Sequence, residues 1–524
     1  MVEQTLFMAG LVAVILISVM LANRLCMAYP ILLVLAGLAL CFVPGMPTIQ
    51  IDPELILIIF LPPLLYEDAF GVSWKELWRL RRIISSFAFP VVFVTALVVA
   101  LVANAILPGF SIALGFVLGG IVSPTDTVST SSIVKFVRVP RDVTTVLRNE
   151  GLFNDSSSFI IFRFALIAVG TGQFILWQAT LGFLWMVVGG VCLGIAMGYV
   201  VMRIHRFLPT DNKIDTLLTI ITPYVIYILA EAAQSSGVLA VVSAGIFLSP
   251  RRYDFLSTSS RVMAINVWES LVFLINGFAF LIIGLGMPQI MAGLRNESIE
   301  LGQAIGYGLL FSALLIAVRI GASGVAWLMT RFMSRFIKVA DARPDPRGNL
   351  LLGWAGMRGA VSLAAALSIP LLMADGQPFP HRDLILFITF VVILVTLILQ
   401  GLTMPALIRW LKLPEQWSRE MPTYEAHAIM QAALREAALE YLREQPETTD
   451  DLKSSDEYVQ ALADRWQRIM PWGERHRELI FGILERQRRR ILQENRTHQN
   501  LDEAIVRHYL MRIDMEEERL RLPY

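Results

Sequence analysis

The sequence predicts an all-α polytopic membrane protein of about thirteen transmembrane helices, followed by a helical soluble tail. Composition is the first reason, because 56% of the 524 residues are hydrophobic, 17% are charged and the mean hydropathy is +0.61. Such a composition excludes a soluble globular domain. The second reason is that apolar stretches recur, with short polar or Pro/Gly breaks, from the N-terminus to about Leu411. The third is a change to charged, helix-forming sequence after Pro414.

An α-helix needs about 20 mostly apolar residues to cross a bilayer, and the apolar stretches have about this length. The predicted spans begin near Leu6, Ala28, Pro53, Ile83, Ser111, Val146, Phe174, Ile214, Gly237, Val262, Gly302, Leu350 and Leu384. The first span follows Glu3 rather than a basic segment, and we expect it to be retained. The sequence therefore predicts a transmembrane domain over residues 1–412 and a cytoplasmic helical regulatory tail over residues 413–524.

Basic residues are distributed unevenly between the two sets of alternate loops. One set holds Arg24, Lys75, Arg79, Arg81, Arg82, Lys135, Arg138, Arg141, Arg203, Arg206, Lys213, Arg251, Arg252, Arg331, Arg335, Lys338, Arg343 and Arg347. The other set has little beyond Arg295 and Arg382. Because positively charged loops stay cytoplasmic, this asymmetry predicts an odd number of spans, with the N-terminus outside and the tail in the cytoplasm. The membrane that we expect is a bacterial inner membrane.

The tail repeats apolar residues at helical spacing with acids and bases between them, as in "ERHRELIFGILERQRRRILQEN". This pattern indicates amphipathic helices in water rather than further spans. The basic residues between Arg486 and Arg490 are flanked by Glu485 and Glu494, so they indicate a solvated helix face rather than a surface for lipid or nucleic acid. No nucleic-acid partner is predicted.

Ionisable residues inside the apolar spans are the informative exceptions. A charge at the bilayer centre costs about 2.5–3.5 kcal/mol on insertion scales, so such groups usually face the bundle interior and mark an ion pathway or a structural pair. The candidates are Asp126, Glu150, Asp155, Arg163, Glu231, Glu269, Arg319 and Arg358.

Two of the predicted spans are interrupted near their middle. Pro124 and hydroxyl residues interrupt the fifth span in "IVSPTDTVSTSS", and glycines surround Arg358 in "LLGWAGMRGAVSLAAALSIP" of the twelfth. Broken helices are tolerated at membrane depth only where they are buried in protein or line a watery cavity. The two interruptions are seven spans apart, which is the spacing expected of inverted repeats of about six spans each. The sequence thus predicts a secondary transporter with its site at the membrane midplane.

The sixth span begins with "EGLFNDSSSF", in which Glu150 and Asn154 share a helix face and Asp155 is turned about 100° away. A small hard cation prefers oxygen ligands, and Asp155, Asp126 and Thr125 supply them. Burial in a partly dry cavity also favours the protonated form of a carboxylate. We therefore expect a proton and a monovalent cation to compete for Asp155.

The remaining intramembrane charges have structural and functional interpretations. We expect Glu150 and Arg358 to form a buried ion pair that anchors the sixth span to the broken twelfth span. Arg319, Ser158, Glu231 and Glu269 are secondary candidates for residues near the site. Arginine does not release a proton in proteins, so Arg319 and Arg163 are not proton carriers.

The motifs resemble the monovalent cation/proton antiporter superfamily, in the branch of NhaP-type antiporters and sodium/proton exchangers. The resemblance covers roughly residues 5–412 and depends on "SPTDTV", "EGLFND" and "GMRGAVSLAAAL" together. It implies that Asp155 carries the cation and the proton, that Asn154 supports the helix crossing, and that Thr125 and Asp126 contribute to the site. Glu150 and Arg358 match the family's ion pair, and Arg319 matches a basic residue near the site.

The resemblance also implies an assembly and a mechanism. The expected protein is a homodimer whose core domain moves against a dimerisation domain by an elevator-like shift, with two crossing discontinuous helices and no cofactor. The Asn154–Asp155 pair is associated with electroneutral exchange. Gly151 and the serines from Ser156 to Ser158 depart from the family pattern, so ion preference among Na⁺, Li⁺ and K⁺ stays open. The tail is expected to bind a regulatory ligand or the tail of the partner protomer.

Two rival functions use some of the same residues. A cation channel would need the intramembrane acids without alternating access, and coupled proton flux would distinguish it from an antiporter. An intramembrane protease is disfavoured because neither Asp126 nor Asp155 lies in a GxGD context, and no histidine lies within a span to activate Ser323 of "GASG".

Overall fold

The computed structural model describes residues 2–25, 27–43, 53–134, 141–171, 176–208, 211–296, 299–333, 345–373, 376–412, 423–444, 474–498 and 501–521. Within these ranges the chain is helical, apart from short connections and one isolated bridge between Leu372 and Pro378. This confirms the predicted all-α class. Outside the described residues lie position 413, where the tail is predicted to begin, and the loop residues Lys135, Arg138, Arg335, Lys338 and Arg343.

The helices follow the predicted spans in order. The first group is α1 (Val2–Leu25), α2 (Tyr29–Leu40), α3 (Pro53–Phe70), α4 (Trp74–Ser86), α5 (Val92–Ile106), α6 (Ile112–Val122), α7 (Thr127–Val134), α8 (Arg141–Thr171) and α9 (Leu176–Phe207). The second group is α10 (Asn212–Ala232), α11 (Gly237–Leu248), α12 (Arg252–Phe255), α13 (Thr258–Leu285), α14 (Met287–Asn296), α15 (Leu301–Met333), α16 (Pro346–Trp354), α17 (Ala360–Leu367) and α18 (Arg382–Leu411). The tail contains α19 (Thr423–Arg443), α20 (Glu474–Thr497) and α21 (Glu503–Arg521).

In the part of the chain that the structure describes, nine helical segments are long and apolar enough to cross a membrane. They are Leu6–Leu25, Trp74–Ile106, Ile112–Thr130, Val143–Thr171, Leu181–Phe207, Asn212–Ala232, Thr258–Arg295, Leu301–Phe332 and Arg382–Leu411. The other four predicted spans are shorter: those near Ala28, Pro53 and Gly237 correspond to helices of 12, 18 and 12 residues, and the one near Leu350 to two helices of 9 and 8 residues. The count of thirteen therefore stays a prediction.

Small residues let α6 lie deep among its neighbours. A Cβ atom on Gly115 or Gly119 would overlap the backbone of α5 at Ala100 or Ala96, and one on Gly120 would overlap the backbone of α8. Such close backbone contact between helices depends on glycine and alanine at the interface. The packing places the end of α6, where the first predicted interruption begins, against α8.

The described chain forms two units. Unit 1 comprises Met1–Leu208, Leu218–Arg251 and Trp268–Trp417, and unit 2 comprises Pro209–Leu217, Arg252–Val267 and Ser418–Tyr524. The apolar core of unit 2 includes Ala426, Met430, Ala438, Ile480, Ile483, Leu484, Ile491, Leu501, Val506, Leu510 and Ile513. The tail helices are thus amphipathic, as predicted, and they pack together through their apolar faces.

Unit 2 also contains a buried network of charges between the start of α13 and the tail helices. Arg261 donates two hydrogen bonds to the Asp514 carboxylate, at 2.9 and 2.5 Å. Arg488 donates through Nη2 to Asp514 at 2.8 Å and to Glu517 at 2.6 Å, and the Thr258 hydroxyl donates to Glu517 at 2.8 Å. Burial opposes the charge of Arg488, but the hydrogen bond and charges of Glu517 and Asp514 outweigh it and raise the pKa of Arg488 above its ordinary value. The network holds α20 and α21 to the first turn of α13.

We expect Arg488→Met to destabilise this unit by about 3 kcal/mol, because it leaves two buried carboxylates with fewer counter-charges. Arg489→Met is the matched control, since its side chain is 71% exposed and pairs with Glu485, and its loss should cost less than about 1 kcal/mol. Hydrogen exchange at the amides of α20 and α21 in the full-length protein measures both changes. Equal protection in the two variants would contradict the importance of the network.

Candidate ion-binding site

The first interruption separates α6, which ends at Val122, from α7, which begins at Thr127. Asp126 caps α7, because its carboxylate accepts hydrogen bonds from the N–H groups of Val128 at 3.3 Å and Ser129 at 3.0 Å, and from the Ser129 hydroxyl. These bonds satisfy N–H groups that a helix start otherwise leaves unpaired. The predicted interruption of the fifth span is confirmed.

The second interruption separates α16, which ends at Trp354, from α17, which begins at Ala360. It meets the first one directly, since the Asp126 N–H donates to the carbonyl oxygen of Met357 at 2.7 Å. The backbone groups freed at one break therefore find partners at the other, as the absence of water in a bilayer requires. The two discontinuous helices cross, as predicted.

Arg358 of the second break also binds backbone groups of the first break. Its guanidinium is buried, and Nη1 donates to the carbonyl oxygens of Ser123 and Pro124, the latter at 2.6 Å. Its own N–H donates to the hydroxyl of Thr396 on α18 at 3.2 Å. A cation at the C-terminal end of α6 complements the negative end of the helix dipole, just as the Asp126 carboxylate complements the positive end of α7.

Glycines in the second break make room for the charged side chains. A Cβ atom on Gly359 would overlap the Asp126 carboxylate, and one on Gly356 would overlap the side chain of Arg319. The close approach, rather than an unusual backbone angle, therefore requires glycine at these two positions. The glycine-rich twelfth span is a consequence of how closely the two breaks cross.

We expect Gly359→Ala to lower the free energy of unfolding by about 1.5–3 kcal/mol, because displacing the Asp126 carboxylate breaks its charge-assisted hydrogen bonds to the start of α7. Gly321→Ala is the control, since a Cβ atom there has no neighbour within 4 Å. Unfolding of the purified variants in mixed detergent micelles measures the difference. Equal stability of the two variants would show that the crossing tolerates a side chain at Gly359.

Helix α8 runs past the crossing and brings its polar residues to it. Asn154 donates through Nδ2 to the Thr125 hydroxyl at 2.7 Å, which ties α8 to the first break. The Oδ1 atom of Asn154 is buried, and the described residues offer it no hydrogen-bond donor. Gly151 lies against α7, where an added Cβ atom would overlap the Thr127 side chain. The departure from the family pattern at Gly151 therefore has a steric reason in this chain.

Asp155 lies one residue further along α8 and is 8% exposed. No described side chain or backbone group donates a hydrogen bond to its carboxylate, whereas the Asp126 carboxylate accepts three. The charged groups within electrostatic range of Asp155 are Asp126, Asp68 and Arg358. The oxygen atoms of Asp155 are thus available to a ligand, and those of Asp126 are largely engaged.

The predicted ion pair between Glu150 and Arg358 is wrong. Glu150 is fully buried and forms a two-pronged ion pair with Arg319 of α15, with N–O distances of 2.7 and 3.1 Å. The reason is geometric, because Arg358 already donates to the carbonyl groups of Ser123 and Pro124 in the first break. The Arg319 side chain passes beside Gly356 and reaches Glu150 instead. The pair therefore joins α8 to α15 rather than to the second break.

The secondary candidates lie in different places. The Ser158 hydroxyl donates to the backbone oxygen of Asp155 at 3.1 Å, within α8. Glu231 pairs with Arg163 at 2.6 Å and also accepts from the Gly237 N–H at 3.0 Å, so it connects α10, α8 and the start of α11. The ion pair therefore gives Arg163 and Glu231 a structural role, which is to hold these helices together.

Two acidic residues near the end of α3, Glu67 and Asp68, were not predicted, and Asp68 contacts the first break. The Thr127 hydroxyl donates to the Asp68 carboxylate at 3.2 Å, which links α3 to the first turn of α7. Glu67 lies within electrostatic range of Asp68, Arg148 and Glu269, so Glu269 belongs to this acidic group. The signal in the sequence is the pair of acids in "YEDAF", immediately after an apolar run.

Two crossing broken helices with buried carboxylates at the crossing define the class of ion-coupled secondary transporters. The chain belongs to the sodium/hydrogen exchanger family, because it matches the family described as "Sodium/hydrogen exchanger, transmembrane" over residues 10–410. The family consists of transporters rather than enzymes, and it needs no cofactor because the transported ions are its substrates.

Individual relatives agree with this assignment. The chain is 31% identical over 535 residues to the uncharacterized Na⁺/H⁺ exchanger Rv2287 of Mycobacterium tuberculosis, covering 98% of this chain and 96% of that protein. It is 33% identical over 450 residues to the sodium, potassium, lithium and rubidium/H⁺ antiporter of Bacillus pumilus, covering 84% of this chain and 66% of that protein. Its fold is similar to that of the sodium proton antiporter MjNhaP1 from Methanocaldococcus jannaschii, with a TM-score of 0.59, 18% identity, and coverage of 76% of this chain and 99% of that one.

Proposed function

We propose that the protein is a secondary antiporter that exchanges Na⁺ for H⁺ by competition at Asp155. One observation carries the proposal: the Asp155 carboxylate is buried at the crossing of two broken helices, and no described group donates a hydrogen bond to it. A carboxylate in that setting is stable when it binds either a proton or a cation, and it is costly as a bare anion. Each ligand therefore displaces the other.

The exchange cycle follows from this competition. Deprotonated Asp155 binds Na⁺ on one side, with Thr125 and the oxygen atoms freed at the break as further ligands, and Asp126 as a second negative charge. The site then faces the opposite side, where a proton replaces the Na⁺, and the protonated site returns. One Na⁺ moves for one H⁺, so the exchange is electroneutral. Asn154 supports this stoichiometry because it adds no charge beside Asp155 and its amide bonds to Thr125.

The assembly that we propose is a homodimer in a bacterial inner membrane, with the N-terminus outside and the tail in the cytoplasm. A core domain that contains the two broken helices moves against a dimerisation domain in an elevator-like shift. Residues 1–412 carry out transport, and residues 413–524 regulate it by binding a ligand or the tail of the partner protomer.

A flux measurement on reconstituted protein tests the proposed exchange. Proteoliposomes with an internal pH dye should show proton movement when an opposing Na⁺ gradient is imposed, at a rate that a clamped membrane potential does not change. A channel would instead pass Na⁺ under voltage without moving protons, and that result would overturn the proposal. Repeating the assay with Li⁺, K⁺ and Rb⁺ determines the ion preference, for which the similarity to the sodium, potassium, lithium and rubidium/H⁺ antiporter of Bacillus pumilus suggests a broad range.

A further inference from the structure

Helix α13 carries a buried amide that is not among the residues of the ion site. Asn276 is 1% exposed, and its Oδ1 atom is buried with no hydrogen-bond donor among the described residues. A buried oxygen atom without a donor costs free energy, so in native proteins such an atom usually has an ordered water or an ion as its partner. The position of Asn276 in the fold indicates which of these partners it meets.

The neighbours of α13 show which way Asn276 faces. The ring of Phe273 lies against that of Tyr29 on α2, with centroids 6.2 Å apart. Ala279 lines a small apolar cavity together with Phe60 of α3. At about 100° per residue, Asn276 is turned about 60° from Phe273 and about 60° from Ala279, and it lies midway between them. Asn276 is therefore on the face of α13 that is directed between α2 and α3.

Both α2 and α3 adjoin the first break. Tyr29 of α2 lies within electrostatic range of Asp126. Asp68 of α3 accepts a hydrogen bond from Thr127, the first residue of α7. Because the start of α7 is next to both helices, the face of α13 between them is directed at the crossing of the two broken helices.

Asn276 also lies at the depth of the crossing. Three residues further along α13, Ala279 lines the apolar cavity with Ala360, the first residue of α17. Seven residues before Asn276, Glu269 lies within electrostatic range of Glu67 on α3. At 1.5 Å per residue, Asn276 is about 4.5 Å along the helix axis from Ala279 and about 10 Å from Glu269. Its amide is thus between the start of α17 and the acidic group near α7.

We propose that Asn276 supplies an amide oxygen ligand from α13 to the transported cation. Three carbonyl or carboxylate groups near the crossing have no hydrogen-bond donor in the part of the chain that the structure describes: the Asp155 carboxylate, Oδ1 of Asn154 and Oδ1 of Asn276. Hard cations prefer such oxygen ligands, and a bound cation satisfies acceptors that no protein donor satisfies. This role of Asn276 rests on the proposed exchange at Asp155 and adds a ligand from a helix outside the two breaks.

Substitution of Asn276 in the full-length protein tests the ligand. Asn276→Leu keeps a side chain of similar size without an oxygen atom, and we expect it to raise the apparent KM for Na⁺ about tenfold. The rate at saturating Na⁺ should stay within about twofold of wild type, because a binding interaction rather than a later step is lost. Asn276→Asp keeps an oxygen ligand, so its KM should stay at or below the wild-type value. Exchange is measured in proteoliposomes at alkaline pH, where protons compete least.

The unfolding temperature of the purified protein separates a ligand from a structural role. A cation that binds only the folded protein raises this temperature, and Asn276→Leu should need about tenfold more Na⁺ than wild type for the same rise. Without Na⁺ the variant should be at least as stable as wild type, since it removes a buried oxygen atom that has no donor. Asn266→Leu is the matched control on α13, because the Asn266 side chain is exposed and donates to the Val262 carbonyl oxygen at 3.1 Å. Its KM should equal that of wild type.

Three results overturn the proposed ligand. They are a wild-type KM in Asn276→Leu, an equal increase in KM in Asn266→Leu, and an equal increase in KM in Asn276→Asp, which would show that the oxygen atom is not the cause. A wild-type protein without coupled exchange would instead overturn the proposed function. The Na⁺ dependence of the unfolding temperature would in that case still decide whether Asn276 binds the cation.

Discussion

We expect Asp155→Asn to reduce Na⁺/H⁺ exchange in proteoliposomes to the rate of protein-free vesicles. The amide is nearly the same size as the carboxylate, but it neither binds a proton at physiological pH nor neutralises a bound cation. The Asp155 carboxylate is buried and accepts no hydrogen bond from the described residues. Replacing it with a neutral amide therefore removes the free-energy cost of burying a charge. The unfolding temperature of the purified variant should therefore stay equal to that of wild type or rise.

The control for this substitution is Asp383→Asn at the start of α18, where the side chain is 34% exposed and its carboxylate is 3.9 Å from Arg382. It makes the same chemical change in the same unit but away from the crossing, and exchange should stay near the wild-type rate. Exchange above about a tenth of the wild-type rate in Asp155→Asn would require a different carrier, since a tenfold change corresponds to only about 1.4 kcal/mol. Asp126 and Asp68 would then be the residues to substitute next.

The second large effect is expected at the ion pair between Glu150 and Arg319. Each side chain is almost fully buried, at 1% and 4% exposure, and the pair is two-pronged. Glu150→Gln and Arg319→Met should each lower the free energy of unfolding by about 3–5 kcal/mol, because each strands the opposite charge in the interior. The double variant removes both charges and should recover about 2–3 kcal/mol of the summed loss.

A parallel cycle with Glu150→Gln and Arg358→Met gives the comparison. Arg358 donates to the backbone carbonyl groups of Ser123 and Pro124 in the first break, so its loss should add to that of Glu150 with a smaller interaction energy. Unfolding in mixed detergent micelles measures all five variants. A larger interaction energy for Glu150 with Arg358 than with Arg319 would restore the pairing that the sequence predicts and contradict the structure.

The interruptions in the fifth and twelfth spans could be predicted because their signals are local. Pro124 removes a backbone donor, and the glycines around Arg358 weaken the helix without any knowledge of neighbours. Intramembrane charge is also visible in a single span, because hydrocarbon is the same unfavourable medium everywhere.

The partners of the charged residues could not be predicted in the same way. Glu150 had two arginines available, and the choice of Arg319 depends on Arg358 being occupied by the carbonyl groups of a neighbouring helix. Asp68 joins the site only because α3 packs so that its carboxylate meets Thr127. Sequence spacing relates residues within one helix, whereas these contacts join helices distant in the chain.

The sequence by itself determined the membrane class, the two broken helices and the identity of Asp155 as the candidate carrier, because hydropathy, helix breaking and the cost of buried charge act residue by residue. Tertiary structure alone decided which arginine neutralises Glu150, that Asp68 joins Asp126 near Asp155, and that the Asp126 carboxylate accepts hydrogen bonds while no described group donates one to Asp155. Those outcomes depend on how closely glycines let helices approach, and interhelical distances of a few ångströms decide which charges form pairs.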